Sequence, residues 1–208
     1  NAEAYYREMY LGSTASWNLR DRHMFETLEM LRKARGPNTK IVVWAHNSHV
    51  GDARAAEMGA HGQLSLGQLC REELDAKCRL VGFGTHTGFV RAATDWDGPH
   101  EEKAVRPSHE ESYERLLHDS GVPAFFLDLQ NPEAPELQRL LATPRLERAI
   151  GVIYRPETEL QSHYFHAALT DRYDDYAWID ETTAVQELDP SPVEERPREV
   201  PETFPFGV

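Results

Sequence analysis

The sequence predicts an α/β fold, a layered, mostly parallel sheet flanked by helices. Two observations predict it. Short apolar runs at 40–45, 79–85, 124–129, 150–154 and 176–180 have the β-branched and aromatic content of strands. Segments of helical periodicity separate them, at 18–35, 65–77, 108–120, 135–141 and 162–169. Strands and helices alternating at this spacing give a layered sheet, and 208 residues suffice to bury its core.

Taken in order, the chain opens on the end of a helix running to about Leu11, which Gly12-Ser13-Thr14 should break. The helix 18–35 is expected to start at Asn18 as cap, with Asp21 suiting the positive end of its dipole. Met24, Phe25, Leu28 and Leu31 form its apolar face, and Gly36-Pro37-Asn38 stops it. The run Lys40-Ile41-Val42-Val43-Trp44-Ala45 reads as a strand buried on both faces. A loop to about Leu64 follows, and Ser65-Leu66-Gly67-Gln68 has the form of a capping box.

Residues 79–85 form the next strand, continued or hairpinned by 88–93, and 95–107 form a loop. The remaining helices and strands follow as above, with the helix 162–169 placing His163 and His166 on one face. Residues 1–187 are expected to be one domain, and 188–208 a Pro/Glu-rich tail, extended or disordered.

Composition narrows the function. With 22 Lys+Arg against 35 Asp+Glu the formal charge is -13, so phosphate backbones are repelled and nucleic acid is not an expected partner. No apolar run approaches the ~20 residues of a membrane span. The first residues are polar and aromatic rather than those of a secretory signal. Cys70 and Cys78, expected eight apart on one helix and ~12 Å from each other, are too distant for a disulfide. Together these predict a cytoplasmic protein with reduced cysteines. No cofactor is expected: there is no Walker loop, and Gly82-Phe83-Gly84 lacks a third glycine in register.

The sharpest motif is Trp44-Ala45-His46-Asn47-Ser48-His49, where an apolar strand ends and titratable side chains begin at once. Ligands gather beyond the carboxyl ends of strands in α/β sheets. His46 is therefore the candidate base or electrostatic partner and His49 its catalytic support, with Asn47, Arg54 and Glu57 as substrate contacts and Asp52 in the same loop. Arg20, at the expected helix start, is placed to stabilise negative charge. Trp96, in the Asp95-Trp96-Asp97-Gly98 loop, and His163 complete the candidate binding residues.

Two other chemistries use the same residues. Ser48 lacks the flanking glycines of a nucleophile elbow. A metal site from His46, His49, Glu57 and His86 would have only the weak HxxH spacing behind it, so no metal is assigned.

The blocks Trp17-Asn18-Leu19-Arg20-Asp21-Arg22-His23-Met24 and Val43-Trp44-Ala45-His46-Asn47-Ser48-His49-Val50-Gly51-Asp52 resemble the erythromycin esterase family. The resemblance continues through Gly62–Leu69, Asp95–Pro99, Glu147–Thr158 and Ser162–Phe165, to about residue 187. It implies a metal-independent hydrolase that opens an ester, typically a macrolactone, with histidine-activated water. His46 would then be an active-site histidine, and Arg20 a contact to substrate or transition state. It also implies an earlier half of the domain carrying a His-Gly-Glu type segment, and no such segment precedes Asn18. The expectations are a small-molecule ester as substrate, a partner supplying that half, and self-association as an alternative.

Overall fold

The computed structural model describes residues 13–186. The expected first helix and the tail lie outside them. Helix α1 (Ser13–Arg35) begins five residues before Asn18, so Asn18 does not cap it. Instead the Asn18 side chain donates to Gly62 O (2.9 Å) and accepts from Leu64 N (2.9 Å), pinning the helix to the later loop. Arg32, Lys33 and Arg35 occupy its last turn, where their charge suits the helix dipole. Gly36, at φ +94°, ends it.

Residues 40–45, where the β-branched run predicts a strand, form no strand. No backbone group among them is hydrogen-bonded within the described residues. Nor are they buried: Val42 is 89% exposed and Trp44 85%. The expectation of a doubly buried strand fails because no neighbouring strand lies beside them here.

The loop expected at 46–64 is partly helical, with α2 (Asn47–Val50), a 3-10 turn at Ala53–Ala55 and α3 (Glu57–Ala60). Helix α4 (Leu66–Leu74) is capped by the Ser65 hydroxyl, which accepts from Gln68 N at 3.1 Å. It stops short of Cys78 because Asp75 turns to φ +45° and a 3-10 turn, Asp75–Lys77, folds the chain back. Cys70 and Cys78 are therefore not on one helix, and both are free thiols.

Strands β1 (Val81–Gly84), β7 (Asp175–Ile179) and β4 (Ala124–Asp128) make the main sheet, in the order β1-β7-β4. β1 runs parallel to β7, and β4 antiparallel to it. A second sheet joins β3 (Glu101–Val105), β2 (Thr87–Ala92) and β8 (Glu181–Thr182). β3 lies inside the expected loop, and its alternation was hidden by Glu101-Glu102-Lys103. A third sheet pairs β5 (Arg145–Arg148) with β6 (Tyr164–Ala167), antiparallel. The fold is α/β, with sheets that are partly antiparallel rather than mostly parallel.

Residues 150–154 form no strand, only a bridge from Ile153 to Ala93. In place of a helix over 162–169, His163 caps α7 (Glu159–Ser162) and His166 lies on β6, so the two share no helix face.

Helices α5 (Tyr113–His118), α6 (Pro135–Ala142) and α8 (Leu169–Arg172) cover one face of the main sheet. Their Tyr113, Leu117, Leu141 and Leu169 pack with Tyr173, Tyr176 and Trp178 in the core. Tyr113 ties three segments together, its hydroxyl lying within 3.0 Å of the Leu141, Thr143 and Ala167 carbonyls. Among the described residues no helix is long and apolar enough to cross a membrane.

Candidate functional site

Helix α2 lies just after residues 40–45 and carries the histidine motif. Its position is set from three sides. Asn47 uses both ends of its amide on β1, donating to Phe83 O (2.7 Å) and accepting from Phe83 N (3.1 Å). Arg172, fully buried, donates to Asn47 O (3.3 Å) and Asp52 O (3.4 Å). The first turn of α4 abuts the end of α2 at Gly67, where a Cβ would meet Val50 O at 1.9 Å. Only glycine allows that approach.

His49 is held by three side chains, Asp21, Arg20 and Trp17. Its Nδ1 lies 2.9 Å and 3.0 Å from the two carboxylate oxygens of Asp21. Asp21 is 0% exposed and also accepts from Leu66 N at 2.9 Å. The Trp17 ring stacks on the imidazole, centroids 4.7 Å apart and planes 7° from parallel. Trp17 is itself anchored by its Nε1, which donates to Leu64 O at 2.8 Å. The Arg20 guanidinium lies over the same indole, with a terminal nitrogen 3.5 Å from His49 Nε2. A carboxylate only accepts, so Nδ1 donates to Asp21, and Nε2 faces Arg20.

His46 is engaged at both nitrogens. Nδ1 accepts from Ser48 N (3.2 Å) and lies 2.9 Å from Ser48 Oγ, the capping arrangement of α2. Nε2 donates to Ile150 O at 2.9 Å. Loss of hydration beside surrounding protein lowers its pKa, more than the Ile150 bond raises it, and the neighbouring His49 and Arg172 lower it further. His46 is therefore neutral, and it stands at the edge of a cavity of about 1010 Å³ bounded by residues 40–45, α1, α4 and β1.

The other expected residues are placed elsewhere. Arg54 pairs with Asp52 through two bonds of 3.0 and 2.6 Å and reaches Glu72 at 3.3 Å. Glu57 accepts from His166 Nδ1 at 2.6 Å. Trp96 is 76% exposed on its turn. His163 is buried with both nitrogens on backbone, accepting from Arg155 N (3.0 Å) and bonded to Ala149 O (3.2 Å). His86 stacks on His118 with centroids 3.6 Å apart. His46, His49, Glu57 and His86 do not gather, and among the described residues no group of three or more His, Cys, Asp or Glu could hold a metal ion.

Local pattern missed Asp21 and Trp17 as partners of His49. It also missed Arg172, whose Nε lies 3.0 Å from Glu147 Oε2 in a pair with no solvent exposure on either side chain. No local signal marked them, because Asp21 and Arg172 both stand among other charged residues, in Arg20-Asp21-Arg22 and Asp171-Arg172.

Comparison with known proteins gives the family and the fold. The sequence pattern of the family described as erythromycin esterase matches residues 1–182. The Bacillus subtilis (strain 168) protein described as "Putative hydrolase YbfO" is 24% identical over 173 residues, 81% of this chain and 36% of that protein. A solved succinoglycan biosynthesis protein shares the fold, with TM-score 0.68 and 19% identity over 83% of this chain and 40% of that one. A mutant erythromycin esterase, EreC, in its open conformation aligns with TM-score 0.52 and 16% identity, over 80% of this chain and 38% of that one. The chain thus spans well under half the length of these relatives. It belongs to the erythromycin esterase family, a membership that supports a hydrolase.

Proposed function

We propose that this chain carries the histidine-bearing part of a site that opens a lactone or other ester with water, His49 serving as general base. The observation that carries this is the buried Asp21 carboxylate on His49 Nδ1, with Nε2 directed toward Arg20. A carboxylate so placed holds the imidazole in one tautomer and stabilises the imidazolium that forms.

In the reaction, His49 Nε2 takes a proton from water as the oxygen attacks the ester carbon. The carbonyl π electrons move onto oxygen, and the Arg20 guanidinium stabilises that negative charge. Collapse breaks the bond to the alkoxide, which takes the proton from His49 and leaves as an alcohol beside the carboxylic acid. Trp17 keeps the imidazole plane fixed throughout. His46, neutral and bonded to Ile150 O, steadies α2 and presents its ring to the cavity. The family's name makes macrolide lactones the first substrates to try, with antibiotic resistance as the consequence of their hydrolysis.

A second reading, binding without turnover by this chain alone, is favoured by its span of 36% of YbfO and 40% of the succinoglycan biosynthesis protein. Mass spectrometry of macrolides and simple esters incubated with the chain separates the two. The hydrolase reading expects a gain of one water that disappears in His49→Asn. Turnover that survives this substitution refutes His49 as base.

A further inference from the structure

Residues 149–155 run from the end of β5 to the 3-10 turn Pro156–Thr158. Two histidines far apart in sequence close on this segment. His163 takes both of its ends: Nε2 accepts from Arg155 N (3.0 Å), and Nδ1 donates to Ala149 O (3.2 Å). His46 takes the next carbonyl, its Nε2 donating to Ile150 O at 2.9 Å, while its Nδ1 accepts from Ser48 N at 3.2 Å. Adjacent carbonyls of one segment thus receive one imidazole each. The second imidazole caps α2, and one turn on, His49 N donates to His46 O at 2.8 Å.

This bonding fixes the proton on each ring. A backbone N–H only donates, so Nε2 of His163 and Nδ1 of His46 carry no proton, and each ring's proton sits on its other nitrogen. An imidazolium has protons on both nitrogens and would set N–H against N–H at Arg155 and at Ser48. The clamp therefore holds while both rings are neutral. The surroundings of His163 favour that form. It is buried against the Tyr154 ring, centroids 5.2 Å apart, and burial lowers its pKa against the Ala149 bond and Glu159. Arg155 and Arg148 act in the same sense as burial, and at His46 so do His49 and Arg172. The middle of the segment is held separately, by Ala93 N on Val152 O (2.9 Å) and Tyr154 N on Ala93 O (3.0 Å). His163 is thus not what keeps the segment on the protein; it sets where the segment's first carbonyls point.

We propose that His163 is a positioning residue, which clamps residues 149–155 in its neutral form, aims Ile150 O at His46 and so sets the start of α2. In this role it touches no substrate, in contrast to the binding role expected from its sequence neighbourhood. Displacement of His46 is carried to His49 through the first turn of α2, and small displacements of a reacting group are costly in rate. The inference rests on the hydrolase reading for what the position of α2 is used for. Its pH sense follows from the two rings: the clamp is complete above the unfolded value of 6.5 and is released as pH falls below it.

The test is nitrogen-15 NMR of the full 208-residue chain, comparing wild type, His163→Gln and His163→Leu. Glutamine keeps an acceptor for Arg155 N and does not titrate, whereas leucine offers neither donor nor acceptor. At about pH 7.5 the His46 Nε2 proton should exchange with water at least about 10-fold faster in His163→Leu, and within about threefold of wild type in His163→Gln. On acidification the wild-type exchange rate should rise with the titration of the His163 ring, and that component should be missing in His163→Gln. A His46 proton unchanged in a folded His163→Leu overturns the proposal. Where leucine unfolds the chain, as thermal unfolding would show, identical pH courses in wild type and His163→Gln overturn it. The measurement reads the bonding of His46 and not turnover, so its outcome is separate from that of the hydrolase reading.

Discussion

The two faces of the β1-β7-β4 sheet are made from the same strands and have opposite fates. On one, Tyr176 and Trp178 are sealed under α5, α6 and α8. On the other, Phe83, Phe126 and Ile179 continue into the exposed Trp44. The closed face is stabilised by burial of apolar and aromatic side chains within the chain. The open face has apolar content without cover, and the candidate catalytic group sits at its margin. Here α2 is fixed from the closed side, through Arg172, while the cavity beside His46 belongs to the open side.

The largest effect that sharpens this comparison is on rate. Asp21→Asn should keep the fold but lower ester turnover by on the order of 10⁴, because the amide favours the wrong tautomer of His49. Steady-state kinetics on whichever ester is turned over checks it. A loss below about tenfold would assign Asp21 to folding alone.

Next comes the buried pair behind α2. Glu147→Gln leaves the Arg172 charge without its counterion, and a cost of about 3–5 kcal/mol is expected in denaturant unfolding. A third test sets the faces directly against each other. Trp178→Ala, at 1% exposure, should cost about 3–5 kcal/mol. Trp44→Ala, at 85%, should stay within about 0.5 kcal/mol in the chain alone. Equal costs would mean that the open face is covered in solution.

The smallest effect is the pH dependence of Glu114. Burial raises its pKa from 4.5 to about 7, against the lowering influence of Arg148. A raised folded-state pKa means that the folded chain binds more protons over this interval. Stability is then complete below about pH 4.5 and falls as pH rises through 7. Glu114→Gln should flatten that decline between pH 5 and about 8 in thermal unfolding. His46, His86 and His163 act in the opposite sense. Burial lowers each pKa, so their contribution is present above the unfolded value of 6.5 and is lost as pH falls below it.

How far the sequence reveals this arrangement depends on how local each determinant is. Residues 124–128 and the Ser65 cap were legible because an apolar run and a side-chain cap act within a few residues. The strand expected at 40–45, and its burial, did not follow from the local run. Pairing is a property of a neighbouring strand, and none lies beside it among the described residues. His163 and His166, three apart, suggested a helix face, but pairing of β6 with the distant β5 made His166 a strand residue.

The site was legible in part. The histidine motif stood out because titratable groups begin where an apolar run ends. Asp21 was read as a helix-start charge, since its partner His49 lies 28 positions later and no local periodicity connects them. Arg54, Glu57 and His163 lay close to the motif or repeated its spacing, yet their nearest partners are Asp52, His166 and backbone groups.

The most direct test of the account is hydrolysis in water labelled with oxygen-18, using a panel of macrolides and simple esters. The full chain should be assayed alone and joined to the unmatched portion of YbfO. The account predicts one labelled oxygen in the product carboxylate, with turnover abolished by His49→Asn. Turnover that persists in that variant, or no turnover in either form, would contradict it.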